Sequence, residues 1–576
     1  MSRDQSIHPR AAAFEIWWMV ILANLVGVAS AGLAVALRRG VHALAELLTP
    51  WRAATGGILL PAAGALAGVL IVRVFFREPG GHGVPAVLEA VSRRGGAMRR
   101  RSILSRLLGS LLTVASGGSA GLEGPTVFSA AAVGSRIAAA LNLAERQRVR
   151  LLACGVAGGI GAIFGAPLTG MIFAMEVVLA EWTLGAVIPV AVSSVVATEI
   201  GRVVLGEAGA FSAGDLVWDA ADLAASLPLG LLCGLVSVGL VVAVFRVEQL
   251  AERARRRSPI LARPGLVAAL AGLGVGLVGW RLPEAIGEGY ELVDGLLGGH
   301  LPSASLLLFL LVGKLLATAL TLGSNAPGGI FAPSLVLGAL LGSSFGTGIA
   351  GLLPGIGFAP PPFFALAAMA GLVAGAMQAP FTGLFLALET TGGWNQTLPL
   401  MMVATLSALV SRTLLRHSFY TWEVAESGRL LRPGTDRRIL AELTVGEMLD
   451  EETATVPAGS TLEDLTRLLP RTRRNHFAVL DPDGCFEGML DISRLRPFIF
   501  DETLRRATPV DTVMDRIEPL RPEQTLLEAL GRFDQDGAWV LPVAAADRTF
   551  LGTVSKSTLF DRYRSELIVQ TADRAE

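Results

Sequence analysis

Gly117-Gly118-Ser119-Ala120-Gly121-Leu122-Glu123-Gly124-Pro125-Thr126-Val127 places one ionisable residue, Glu123, inside a run broken by glycine and proline and flanked by apolar sequence long enough to lie in a bilayer. A carboxylate at that depth is costly, and intramembrane ionisable groups face a water-filled path or a partner. The glycines and the proline interrupt the helix, so backbone N–H groups leave helical pairing and can point at a ligand. That arrangement suits an anion. A tight helix–helix contact would also use the glycines, but it gains little from a buried acid.

Working outward, the chain has 576 residues, of which 52% are hydrophobic and 17% charged. Repeated apolar runs of membrane-spanning length make this a polytopic membrane protein. The formal net charge of -1 gives no reason to expect nucleic acid as a partner. Cys154, Cys233 and Cys485 lie far apart and form neither a disulfide framework nor a ligand spacing. The N-terminus passes through Arg3 and Arg10 into Phe14–Leu37 without a cleavage site, so a retained first membrane helix is expected.

Apolar segments follow at about 57–76, 103–116, 127–142, 150–181, 184–205, 222–246, 264–281, 305–322, 330–352, 361–391 and 397–415. Several fall short of the ~20 residues a full crossing needs, which predicts helices that stop part-way and are buried by protein. Arginine clusters at 93–106, 146–150 and 253–257 mark cytoplasmic loops by the positive-inside bias.

The chain repeats itself. Ala166-Pro-Leu-Thr-Gly-Met-Ile-Phe-Ala-Met-Glu176 returns as Ala379-Pro-Phe-Thr-Gly-Leu-Phe-Leu-Ala-Leu-Glu389, and Gly118-Ser119 before Pro125 is echoed by Gly323-Ser324 before Pro333. Two halves with broken segments in corresponding places are the signature of a transporter repeat whose site lies at the repeat interface. The run Gly323–Pro333 is therefore expected to face Gly117–Val127. The repeat pattern by itself leaves open whether the halves are inverted or parallel. Beyond Tyr420 the apolar runs end, and a soluble α/β tail is expected from about Leu443. Thr444–Pro497 and Thr508–Tyr563 share an order of elements that resembles a pair of CBS domains.

Gly117–Pro125, Gly328-Gly-Ile-Phe-Ala-Pro333 and Gly81-His-Gly-Val-Pro85 resemble, in order, three segments of the CLC chloride channel and transporter family. The likeness covers nearly the whole chain and suggests a prokaryotic-type member with a C-terminal CBS pair. It implies an all-α polytopic membrane protein of two inverted repeats with broken helices, followed by a cytosolic α/β pair. The expected division is 1–425 for the anion pathway, 426–442 for a linker, and 443–500 and 501–576 for the two CBS domains. A homodimer is implied, in the cell (inner) membrane, multi-pass, with both termini cytoplasmic.

Carried over by position, Glu123 resembles the family's gate, a carboxylate that occupies the anion's own site and swings away on protonation. His82, the Ile330 and Phe331 amides and the Tyr420 hydroxyl resemble its chloride ligands, with Gly81, Gly83, Gly121, Leu122, Gly124 and Gly329 supplying backbone along the path. Amides at helix ends offer partial positive charge while permitting release. Three positions depart from the pattern. His82 replaces a serine, and an imidazole can donate to an anion but also titrates near neutrality. Val177 stands where proton-coupled members carry an internal acid, leaving Glu176 with a structural role matched by Glu389. Leu122 replaces an arginine, which removes a positive charge from the outer vestibule. Lys314, one of two lysines in the chain, is expected either to raise local chloride concentration from a vestibule or to snorkel to an interface. The loops after Gly488 and Gly552 lack the aspartate that holds a ribose, which argues against adenine nucleotide and for a dimer-stabilising or gating role.

The leading expectation is a passive chloride channel, voltage- or pH-gated by Glu123. The alternative is a Cl⁻/H⁺ antiporter in which another group, such as His82, replaces the missing internal acid. An intramembrane hydrolase built from His82, Glu123 and Glu176 ranks below both. The histidines are scattered and lack metal-ligand spacing, so neither an enzyme nor a cofactor is expected.

Overall fold

The computed structural model describes residues 9–54, 56–206, 211, 216–426, 440, 443–472 and 474–564. They fall in two compact units, Met1–Leu430 and Leu431–Glu576.

The first unit is helical. Its first half runs α1 (Pro9–Ala54), α2 (Leu60–Leu70, prolonged by a π-helical turn, Ile71–Phe75), α3 (Gly83–Arg93), α4 (Ser102–Ala115), α5 (Glu123–Ala140), α6 (Glu145–Phe164), α7 (Pro167–Phe173, prolonged by the π-helical Ala174–Leu179) and α8 (Leu184–Leu205). The second half runs α9 (Ala220–Arg257), α10 (Leu266–Arg281), α11 (Tyr290–Leu297), α12 (Ala304–Gly323), α13 (Phe331–Leu352), α14 (Pro361–Met377), α15 (Pro380–Thr391) and α16 (Thr397–Leu414), and α17 (Phe419–Glu426) closes the unit. The packing of the halves corresponds as well. The contacts α5–α6, α6–α8, α1–α6 and α4–α5 recur as α13–α14, α14–α16, α9–α14 and α12–α13. Seven of the described helices are long and apolar enough to cross a membrane, and α2, α4, α10 and α14 are shorter apolar helices.

Two long apolar runs of the sequence divide where local chemistry demands it. The run 150–181 breaks at Gly165, which adopts a left-handed φ of 66°, just before Pro167 opens α7. The run 361–391 breaks at Gln378, φ 53°, ahead of Pro380. Proline is preorganised for the first helical position, and a left-handed residue ends the helix before it. α14 is buried from Pro362 to Met377, as fits a helix that is apolar all round and sits in the centre of its half. The sequence missed α3 and α11, both too short and too polar to read as spans.

In the second unit β1 (Thr455–Pro457) pairs parallel with β2 (His476–Leu480), which pairs antiparallel with β3 (Phe486–Asp491), while β4 (Val540–Ala544) pairs antiparallel with β5 (Phe550–Ser555). Both hairpins carry a register shift near the end of their first strand, at Val479/Leu480 and Val543/Ala544. Helices α18 (Leu462–Leu468) and α21 (Leu526–Asp536) precede the two hairpins, with α19 (Ile492–Ile499) and α20 (Glu502–Ala507) between them. The apolar cores interleave along the chain. Leu443, Val445 and Met448 pack with Leu520, Leu526 and Leu541. Val510 packs with Val456, Leu462 and Phe477. A cut at 500 therefore separates residues that share a core, because the segment opening each repeat pairs with the other one: Val445 N donates to Gln524 O, and Val510 N to Ser460 O.

Candidate anion site at the meeting of two broken helices

The two glycine-rich runs lie face to face. Gly121 N donates to Gly329 O and Gly329 N to Gly121 O, each at 2.8 Å, forming an antiparallel bridge between the halves. Ser119 Oγ lies 2.9 Å from Thr318 Oγ1, and Ser119 N donates to Thr321 Oγ1 at 3.1 Å, so side chains support the same junction. Close approach requires small residues here. A Cβ on Gly329 would stand 2.8 Å from Gly124 N and 3.1 Å from Glu123 Oε2. Immediately beyond the bridge both chains turn into helices, α5 after Leu122 and α13 after Ile330, and neither start has a side-chain cap. Two sets of uncapped amides with positive dipole ends therefore meet at one point.

Glu123 sits at that point and is fully buried. Its Oε1 accepts a hydrogen bond of 2.7 Å from the Tyr290 hydroxyl. Its other oxygen, Oε2, reaches toward Gly329 just before α13 and is buried without a hydrogen-bond partner. Leu122, Ile330 and Phe331 are buried beside it. Tyr420 belongs to the same cluster. Its ring centroid lies 6.1 Å from that of Phe173 and 6.4 Å from that of Phe331, and its hydroxyl is buried without a hydrogen-bond partner.

His82 precedes α3 with its ring against Phe419, centroids 4.8 Å apart, and its Nε2 is buried and unpartnered. Phe419 adjoins Tyr420 in sequence and packs on its ring at 5.6 Å. Gly83 is pressed against the other broken run, where a Cβ would lie 2.5 Å from Gly124 O. The Gly81 carbonyl accepts from the Arg106 guanidinium. Orphaned buried groups at His82 and Tyr420 are what a site for an anion or water requires.

The neighbouring positions separate by role. Val177 lies half-buried in the π-helical turn after α7 and carries no titratable group. Glu176 caps α15: its carboxylate accepts from Phe381 N at 3.2 Å, Thr382 N at 2.8 Å and Thr382 Oγ1 at 2.7 Å. Glu389 repeats the arrangement on α7, with Leu168 N at 2.8 Å, Thr169 N at 2.6 Å and Thr169 Oγ1 at 2.6 Å. Each half thus closes a helix end of the other.

Lys314 is fully buried rather than snorkelling to an interface, and it sits behind the cavity wall instead of lining it. Its Nζ donates to Gly287 O at 2.7 Å and Glu288 O at 3.3 Å, which fixes the loop that delivers Tyr290 to Glu123. Sequence reasoning overlooked Tyr290, although it is one of three tyrosines and follows a glycine-broken loop in the second half.

A cavity of about 790 Å³ opens onto Glu123. Arg38, His42 and Arg52 of α1 line it opposite Glu284, Glu288 and Tyr290. Leu122 lines this cavity as an apolar residue, and arginines from the long first helix supply positive charge to it.

The chain matches, over residues 63–412, the family described as voltage gated chloride channel. It is 33% identical over 434 residues to a putative chloride channel protein, ClcB-like, of Ralstonia nicotianae, covering 71% of this chain and 97% of that one. It is 32% identical over 412 residues to the H(+)/Cl(-) exchange transporter ClcA of Vibrio cholerae, covering 69% and 86%. Among solved structures it superposes with TM-score 0.63 on a slow cyanobacterial Cl-/H+ antiporter at 24% identity, covering 73% of this chain and 99% of that one. It reaches the same score with a eukaryotic CLC transporter at 19% identity, covering 94% and 97%. These likenesses establish the fold as two inverted repeats of broken helices followed by an α/β tail.

Proposed function

The chain belongs to the voltage gated chloride channel family, the CLC channels and transporters, and from that membership we propose that it exchanges chloride for protons across a membrane. Members of this family are channels and transporters rather than enzymes. The exchange reading displaces the passive channel that the sequence put first, because curated relatives at about a third identity are named H(+)/Cl(-) exchange transporters. The observation that carries it is the buried Glu123 carboxylate at the junction of two uncapped helix ends, one oxygen held by Tyr290 and the other unpartnered and directed toward Gly329.

In this reading chloride is held by the Ile330 and Phe331 amides, the Tyr420 hydroxyl and His82 Nε2. Gly81, Gly83, Gly121, Leu122, Gly124 and Gly329 keep side chains out of the path or present backbone to it. Glu123 competes with the ion for the same donors. As a carboxylate it fills the place a second anion would take, and as an acid it loses its attraction to the amides and leaves. One group therefore alternates between blocking chloride and carrying a proton, which couples the two flows. The tail acts as a CBS pair that supports dimer contacts or gating rather than nucleotide binding. The repeated order of helix, strand pair and helix in the tail, and the absence of a ribose-holding aspartate after Gly488 and Gly552, support that reading. Two copies each form their own path, and the arginine-rich loops favour a topology with both termini cytoplasmic.

The test is chloride and proton flux recorded together in proteoliposomes. An exchanger drives chloride uphill in a proton gradient, whereas flux that always settles at the chloride Nernst potential refutes the proposal.

Tyr290 gives a second, separable expectation. A hydrogen bond to a charged group is worth about 1.5–3 kcal/mol, and about 1.4 kcal/mol is tenfold in an equilibrium. Tyr290→Phe is therefore expected to free Glu123 more often and to raise chloride flux on the order of tenfold at neutral external pH. Initial-rate chloride efflux checks this, and a rate equal to wild type removes Tyr290 as the latch.

A further inference from the structure

We propose that Glu423 is the residue that exchanges protons with water on the side of the membrane opposite the Glu123 vestibule, in the role that Val177 cannot fill. The inference rests on the exchange reading above and names the second proton station that this reading leaves unassigned.

Glu423 lies three residues beyond Tyr420 on α17, about 4.5 Å farther along the helix and on the same face. It is half-buried, so water reaches it, yet its Oε2 is enclosed and has no hydrogen-bond partner. Its carboxylate faces the His82 backbone N–H and packs on Gly81, where a Cβ would stand 2.5 Å from Oε1. The acid thus touches the segment carrying His82 and shares a helix with Tyr420, the two residues whose orphaned polar atoms border the ion site.

The surrounding charges fit a group that gains and loses a proton. Arg106 of α4 faces Glu423, and Glu89 of α3 faces it with opposite sign. Arg106 gives its guanidinium hydrogen bonds to the Gly81 and Pro79 carbonyls, with its Cζ over the Phe128 ring at 5.0 Å. It therefore steadies the Glu423 charge without saturating both oxygens. The other buried acids nearby are committed. Glu78 accepts the Ser102 and Ser105 hydroxyls at 2.6 Å each, and Glu176 caps α15.

Sidedness follows from α4. This helix passes Glu423 at Arg106 and ends at Val114 and Ala115 in the vestibule wall, roughly 12 Å farther on at 1.5 Å per residue. A proton taken from water by Glu423 passes along water in the ion path, beside the Tyr420 hydroxyl, to Glu123. Glu423 returns to carboxylate, Glu123 becomes the acid, and no other bond changes.

The experiment compares wild type, Glu423→Gln and Glu423→Asp in proteoliposomes, with chloride and proton flux read together. General acid–base groups contribute about 100-fold or more, so Glu423→Gln is expected to cut proton flux at least ~10-fold with chloride flux within about twofold of wild type, and Glu423→Asp to keep most of the coupling. Unchanged proton flux in Glu423→Gln overturns the inference. Loss of both fluxes in Gln and Asp alike overturns it too, since that marks a purely structural acid. Should wild type move no protons at all, the exchange reading fails and takes this inference with it.

Discussion

Glu123→Gln is expected to abolish proton movement while chloride still flows, at a rate that no longer responds to external pH. The amide keeps the shape of the side chain but carries neither the negative charge that competes at the α13 amides nor a proton to deliver. The loss in proton flux should reach at least ~100-fold, the range by which positioned acid–base groups act. Parallel chloride and proton efflux across a series of external pH values provides the measurement. Proton coupling that survives in this variant would remove Glu123 from the path.

Glu176→Ala is expected to have the largest effect on stability. It strands two amides at the start of α15 and the Thr382 hydroxyl, all bonded to one carboxylate. Unpaired groups of this kind cost about 1–3 kcal/mol each, without strict additivity, so a loss on the order of 3 kcal/mol is expected. Glu389→Ala should cost about as much, because its bonds to Leu168 and Thr169 repeat the set. Thermal unfolding of the purified protein in detergent reads both, and a Glu176→Ala transition at the wild-type temperature contradicts the capping role.

The parts of this molecule legible in the sequence were those written locally. The Ala-Pro-x-Thr-Gly blocks announced the repeat because each half needs the same proline at a helix start and the same acid nine residues later, which closes the matching helix start of the other half. The facing of Gly117–Val127 and Gly323–Pro333 followed from their place in the two halves, and the reciprocal Gly121–Gly329 bridge realises it. What stayed hidden depends on contacts between distant segments. Tyr290 meets Glu123 across 167 positions, from a loop whose course is set by Lys314. Glu423 carries no motif, and its meaning comes from α17 packing on α3, which no periodicity reveals. The vestibule arginines were masked in another way. The first span was expected to end near Leu37, whereas α1 continues to Ala54 and carries Arg38 and Arg52 along the cavity.

Bromide replaced for chloride and located by its anomalous scattering, in crystals of wild type and of Glu123→Gln, tests the central claim most directly. Wild type should show an ion beside the Ile330 and Phe331 amides and Tyr420, and the Gln variant should add a second one where the carboxylate lay toward Gly329. Crystals of both proteins with no bromide at the α13 start would contradict the account.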